Sequence, residues 1–430
     1  MSRALFIVVG LICASPAVLL WDGLIAHGFI AGVAAAALGI TAVSLRPGET
    51  EFLVSTIRPT VPLAAAPAVW VLFQVLPANV LAHPIWISAQ TALGSPIAGT
   101  VSVDPGAGVV ALGHYLSMVA VALVAAAVAV DRRRAEWILF ALTGATSAMA
   151  LTILFGGFFL PAVTTAFAGA QAVDGVGLGV IIASAACVRT VERYETRRSS
   201  PQRSVSALLW TLVACALALA ICAGALIIVA SRAVLVAGGC GLAAFAGVMI
   251  IRRFGLGPWG TAAMVVPALS LAALLAASQP VDRGTNVTLT FAAGSASAGK
   301  ALSKRVLDDA PIVGSGAGTF AALAPIYREI DDPPDASMAS TAAASLAIEL
   351  GQPMLWLIAM ATIASILILS RASLRRGRDS FYPAMGGACF LTVFLLTFIN
   401  AGLLGSGFDL VVAAVLGLAV AQSRSRAIQF

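Results

Sequence analysis

The chain has 430 residues, of which 60% are hydrophobic and only 10% charged, with a formal net charge of +6. That balance excludes an ordinary soluble domain, which is close to half apolar and about one quarter charged. The pI near 9.3 does not imply nucleic acid, because the cations lie in short gaps between apolar runs, where they act as topology signals and contacts for anionic headgroups.

A helix that crosses a bilayer needs about 20 mostly apolar residues. Runs of that kind predict spans near 4–21, 23–45, 61–81, 108–130, 135–154, 174–190, 206–230, 233–251, 259–277, 345–370, 381–401 and 406–421. The expected fold class is therefore an all-α integral membrane protein of about twelve transmembrane helices. Residues 1–277 carry the first nine, 278–343 form a large loop with short helices, and 344–430 carry the last three and a short tail. Abundant Ala and Gly suit close helix approach, since lipid gives helices no hydrophobic reason to associate. No internal repeat is found.

Nineteen of the 25 Lys and Arg residues fall in gaps on one side of these spans. Cytoplasmic loops carry that excess, which places both termini inside. Residues 82–107, 155–173 and 278–343 then lie outside. The first span reads as retained rather than cleaved, because a second follows at once and its removal would invert the charge pattern. The 82–107 segment holds Trp86 and Ile87, an interfacial piece, and ends in a Pro105-Gly106 turn. The 155–173 gap is apolar enough to re-enter or lie on the membrane. The six cysteines all lie within spans, so no disulfide is expected. His27, His83 and His114 are scattered, and no Cys/His cluster has metal-ligand spacing.

The six cations on the far side are Arg232, Arg283, Lys300, Lys304, Arg305 and Arg328. They run against the topological bias, so they call for an explanation. Arg232 lies between the seventh and eighth spans; it either snorkels to outer headgroups or binds an anion in a cavity. Residues 296–309 have helical spacing, with Ala301, Leu302, Val306 and Leu307 as the apolar stripe. Lys300 and Lys304 share the opposite face, with Arg305 adjacent. That face suits a diphosphate, or is a solvated face balanced by Asp308 and Asp309.

Gly314, Gly316 and Gly318 follow Pro311 and allow either an anion nest of backbone N–H groups or a structural turn. This is not a Walker loop, since no Gly-Lys-Ser/Thr follows. Ala321–Ile330 contains Tyr327, Arg328 and Glu329, and precedes an acidic turn whose Asp331, Asp332 and Asp335 read as solvated rather than as a cation site. Glu349 starts the tenth predicted span; it is either a general base or an ion-pair partner for Arg232 or Arg328. Asp174 and Asp409 read as structural.

Asp309-Ala-Pro311-Ile-Val-Gly314-Ser-Gly316-Ala-Gly318-Thr-Phe320, then Tyr327-Arg328, then Ala347-Ile-Glu349-Leu-Gly351, resembles the O-antigen ligase/polymerase superfamily. Its members share a P-x-x-G-x-G-x-G-x-F segment in a large periplasmic loop and an E-x-G at the next helix. Ser231-Arg232-Ala233 is similar to the S-R-G/A on the helix before that loop, and Ser102-Val-Asp104-Pro-Gly is an upstream match. The resemblance covers roughly residues 205–420. It implies a multi-span fold of the GT-C glycosyltransferase type in the bacterial inner membrane. The implied substrate is a polyprenyl-diphosphate-linked oligosaccharide, used without metal, nucleotide or other cofactor.

By that resemblance Arg232 would bind the donor diphosphate. The second cation maps to Lys300, with Lys304 or Arg305 as fallbacks; the family residue is usually Arg, which offers a fork where Lys offers a point charge. Arg328 would assist. The family's H-N-x-x-L before E-x-G is replaced by Ser340-Thr341-Ala-Ala-Ala-Ser345-Leu, with no His. That departure points to the exopolysaccharide-polymerase branch and away from lipid A-core ligases, and leaves the base between Glu349, another carboxylate, or none. The expected activity is inverting polymerisation of lipid-linked repeat units on the periplasmic face, alongside membrane lipid and the pathway's flippase and chain-length regulator. The alternatives are a ligase moving finished glycan to another acceptor, and a transporter or flippase. A transporter needs charged residues along a midplane path, and ionisable residues within the predicted spans are few.

Overall fold

The computed structural model describes residues 1–430 except 20–22, 79–80, 160–169, 199–205, 230–231, 255–298, 330–337, 377–378 and 425–430. Among the described residues every regular element is a helix, apart from a single bridge between Pro77 and Thr100. In chain order come α1 (Ser2–Val18), α2 (Leu24–Ser44), α3 (Pro47–Ile57), α4 (Val61–Val75), α5 (Ile85–Leu93), α6 (Pro105–Ala129), α7 (Arg132–Phe159) and α8 (Ala170–Arg198). They are followed by α9 (Ser206–Val229), α10 (Arg232–Phe254), α11 (Lys300–Asp309), α12 (Phe320–Tyr327), α13 (Ala342–Glu349), α14 (Gln352–Arg375), α15 (Phe381–Thr397) and α16 (Ser406–Ala421).

Seven of these helices, α2, α6 to α10 and α14, are long and apolar enough to cross a membrane. The pair α3 and α4 would make an eighth as a broken span, bent by 69°. The apolar helices α1, α15 and α16 are shorter, at 17, 17 and 16 residues. These are the features of a multi-pass membrane protein. Ten of the predicted spans coincide with one of these helices in whole or large part. The predicted span 61–81 ends at Val75, and a helix the charge pattern had left as a gap, α3, precedes it. The predicted span 345–370 is two helices: Gly351 takes φ +89° and Pro353 sits in the first turn of α14, so α13 stops short of it. The predicted span 259–277 lies outside the described residues, as do Arg283 and the acidic turn at 331–335.

Local sequence explains where the helices begin. Asp104 accepts a hydrogen bond from the Ala107 N–H at 3.1 Å, and Pro105 takes the first position of α6. Thr341 caps α13 by accepting from Ala344 N–H at 3.0 Å. The bundle is built round α8, where Leu178, Ile181, Ile182 and Ala183 have no exposed surface. Helices α6 and α16 pack closely because Gly417 has no side chain to meet the Ala122 carbonyl.

The two ends of the bundle differ. At one end, Arg189 donates from Nε to Glu136 Oε1 at 2.8 Å and from a terminal nitrogen to Asp379 Oδ1 at 3.2 Å. Arg132 reaches the same Asp379 oxygen at 2.5 Å, and Arg193 pairs with Glu136. Glu136, Arg189 and Asp379 are all buried, so each charge depends on the others. At the other end, the Ala342 N–H donates to the Asn400 carbonyl and Asn400 Nδ2 donates to Asp174 Oδ1, each at 2.9 Å. The 17 residues of α15 separate the two clusters, a length of about 25 Å.

Candidate functional site

At the Asn400 end, α11, α12 and α13 share a small core of Leu302, Val306, Leu307, Phe320, Leu323, Ala343 and Ile348. The stripe on α11 is Leu302, Ser303, Val306 and Leu307; the predicted Ala301 is exposed instead. Ser303 is buried because its hydroxyl accepts from the Ser340 N–H at 2.9 Å, tying α11 to the start of α13. Lys300 and Lys304, one turn apart, are half-buried on the remaining face. Arg305 turns away from that face: its Nε donates to the Tyr327 carbonyl at 3.1 Å and its guanidinium pairs with Glu329 at 3.4 Å. The Tyr327 hydroxyl donates to Asp309 at 3.2 Å, while Arg328 is exposed at the end of α12.

The glycine segment is not an open nest. Gly314, Gly316 and Gly318 have φ of +81°, +109° and +74°, a region where a side chain is strained. Their N–H groups are spent on the protein itself. Gly314 donates to the Pro311 carbonyl, Ser315 to Ile348 and Gly316 to Glu349, each at 2.9 Å. The Gly318 N–H donates to Glu349 Oε2 at 2.8 Å and the Phe320 N–H to Glu349 Oε1 at 3.3 Å. The anion held by this loop is thus the Glu349 carboxylate, at the N-terminus of α12. Among the described residues its partners are the Gly318 and Phe320 N–H groups and the Ser345 hydroxyl; the Arg232 pairing falls outside them. Burial pushes the Glu349 carboxyl above its ordinary range, against the pull of these donors.

Two further segments close this node. Val103 N–H donates to the Ser315 carbonyl at 2.8 Å, and a Cβ on Gly316 would stand 2.6 Å from Ser102 Cβ. The Ser-Val-Asp-Pro-Gly turn is therefore packed directly on the glycine segment. From α4, Gln74 Nε2 donates to the carbonyls of Val313 and Glu349 at 2.8 and 2.9 Å, and Trp70 Nε1 to Leu350 at 2.8 Å. Neither Trp70 nor Gln74 was a sequence candidate. The available signal was a lone amide in an otherwise apolar run, which must find partners when buried.

Arg232 opens α10, at the end opposite Arg252 and Arg253; its side chain lies outside the described residues. The sequence also missed a polar cluster between α2, α6 and α16. His114 Nε2 lies 3.0 Å from Asp409 Oδ2, His27 Nε2 lies 2.6 Å from Ser406 Oγ, and the two imidazole rings are 4.8 Å apart. Asp409 thus pairs with a histidine, and Asp174 is a buried acceptor for Asn400. The six cysteines are free thiols.

The chain matches no protein-family model and no curated protein. What remains is a carboxylate held by a glycine loop, next to a helix with a lysine face, at one end of an apolar helical bundle.

Proposed function

We propose that this chain is a bacterial inner-membrane glycosyltransferase that polymerises polyprenyl-diphosphate-linked oligosaccharide repeat units on the periplasmic face. The observation that carries the reading is the Glu349 carboxylate clasped by Gly318 and Phe320. It unites two of the motif segments on which the resemblance rests. In this reading the chain has about twelve spans in a GT-C-like arrangement, with both termini in the cytoplasm and the glycine node outside.

The chemistry needs a cationic face for the leaving diphosphate and an acceptor for one proton. Lys300 and Lys304 supply charge along one face of α11, with Arg232 from α10 completing the diphosphate clamp. Arg305 and Arg328 contribute at the rim, Arg305 mainly by fixing α12 through the Tyr327 carbonyl. The acceptor hydroxyl attacks the anomeric carbon opposite the diphosphate. The new glycosidic bond forms as the carbon–phosphate-oxygen bond breaks, so the configuration inverts. The hydroxyl proton passes to Glu349, whose raised affinity for protons suits that role. The growing glycan moves to the next lipid-linked unit and polyprenyl diphosphate departs. No metal enters the scheme, and the flippase and chain-length regulator of the pathway are the expected partners.

A strain lacking the chain tests this directly. Polymerisation predicts loss of long glycan and accumulation of single lipid-linked units exposed on the outer face. Units retained on the cytoplasmic face would instead make the chain a flippase. Intact polymer that fails to reach lipid A-core would make it a ligase.

A further inference from the structure

At the arginine end, between α8 and α10, lies a cavity of about 630 Å³. One wall is apolar and open sideways: Val191 and Ile250 line it and are 40% and 52% exposed. The other wall is charged, with Glu192 and Glu195 from α8 facing Arg252 and Arg253 from α10. Two of these charges are engaged within the protein: Glu192 lies 3.8 Å from Arg189, and Arg252 donates to the Ser380 hydroxyl. The other two, Glu195 and Arg253, are both exposed, and among the described residues neither makes a hydrogen bond or ion pair.

An anionic headgroup here would meet two carboxylates, and a cation would meet two guanidinium groups. A lining with two charges of each sign favours a ligand that carries both. The guanidinium fork is matched to a phosphate diester, and a carboxylate accepts from a primary ammonium, which brings three N–H donors. Val191 and Ile250 belong to helices long and apolar enough to cross a membrane, so their exposed side chains offer an apolar contact for acyl chains. We propose that this cavity is a binding site for a zwitterionic phospholipid with a primary amine, its phosphate on Arg253 and Arg252 and its ammonium on Glu195 and Glu192. The site sits at the opposite end of α8 from Asp174 and does not depend on the proposed glycosyl transfer.

The test is native mass spectrometry of the delipidated full-length protein, titrated with phosphatidylethanolamine, phosphatidylcholine and phosphatidylglycerol of identical acyl chains. Phosphatidylethanolamine is expected to bind about fivefold or more tightly than either competitor, the effect of a charge-assisted hydrogen bond that the others lack or oppose. Glu195→Gln should remove the preference over phosphatidylcholine, and Arg253→Ala should weaken all three lipids by about tenfold. Both side chains are exposed, so both variants should keep the wild-type melting temperature. Equal binding of the three lipids would mark ordinary surface lipid and overturn the proposal. So would a preference that survives Glu195→Gln, or binding unaffected by Arg253→Ala.

Discussion

Gly314 and Gly351 exclude each other's side chains. A Cβ on Gly314 would stand 2.6 Å from the Gly351 amide nitrogen, and a Cβ on Gly351 would stand 2.9 Å from the Gly314 nitrogen. Both also have positive φ, so Ala costs about 1–2 kcal/mol at each before any clash. The obstructing atoms are backbone and cannot swing aside. Gly314→Ala and Gly351→Ala should each lower the melting temperature markedly and abolish activity. Gly318→Ala, whose nearest obstacle is the Ala107 carbonyl at 3.3 Å, should be milder. Equal losses at all three positions in thermal unfolding would show that strain alone, rather than the 314–351 contact, matters.

Gln74 joins the two glycine-bearing segments from a third. Gln74→Met keeps the volume but strips the donor from two carbonyls. The expected cost is about 1–3 kcal/mol, chiefly from the Val313 carbonyl, because the Glu349 carbonyl keeps the Gly316 N–H. Unfolding in detergent measures it, and Gln74→Leu should behave alike. A Met variant as stable as wild type would mean that water replaces the amide.

Glu349 makes stability and activity respond to pH in opposite directions. Burial raises its carboxyl above the ordinary value of 4.5, so between that value and the folded one the folded protein holds a proton that the unfolded chain releases. The associated stability is fully present below about pH 4.5 and is lost as pH rises through the elevated folded value. Proton acceptance needs the ionised form, so turnover should rise over the same interval. Glu349→Gln stays neutral: its melting temperature should fall less with pH, and its turnover should be low throughout. An unchanged pH slope in the variant would remove Glu349 from both roles.

The buried pair at the arginine end predicts non-additivity. Glu136→Ala removes the carboxylate that holds the buried Arg189 Nε, leaving Arg189 only its longer contacts to Asp379 and Glu192, and should cost about 3–5 kcal/mol. Replacing both partners, Glu136→Leu with Arg189→Met, should recover most of that loss, because no charge is left uncompensated. A double mutant as unstable as Glu136→Ala would mean that Asp379 and Arg132 cannot settle without Arg189.

The parts of this molecule that depend on short-range pattern were legible in the sequence. Apolar length marked most of the long helices, although the Pro105-Gly106 pair expected as a turn proves to be the first turn of α6. The glycine motif marked a place where backbone must approach backbone, although not which carboxylate would fill it. Long-range pairings were not legible. Gln74 with Val313, His114 with Asp409 and Arg189 with Glu136 join residues 239, 295 and 53 positions apart. Periodicity carries no information at that range. The Arg132 and Arg189 clusters were read as topology signals alone, because a positively charged gap looks the same whether its arginines face solvent or a buried Asp379. The stop between α13 and α14 was not legible, because Gly351 and Pro353 interrupt an apolar run without changing its hydropathy.

The most direct measurement of the central claim uses the purified protein in lipid with a defined polyprenyl-diphosphate repeat unit, in EDTA, resolved by gel. The account predicts a ladder of glycan lengths from the wild type that disappears with Arg232→Ala and falls sharply with Lys300→Ala. It would be contradicted by a wild type that makes no ladder and transfers glycan only when lipid A-core is added, or by an Arg232→Ala variant that polymerises as well as the wild type.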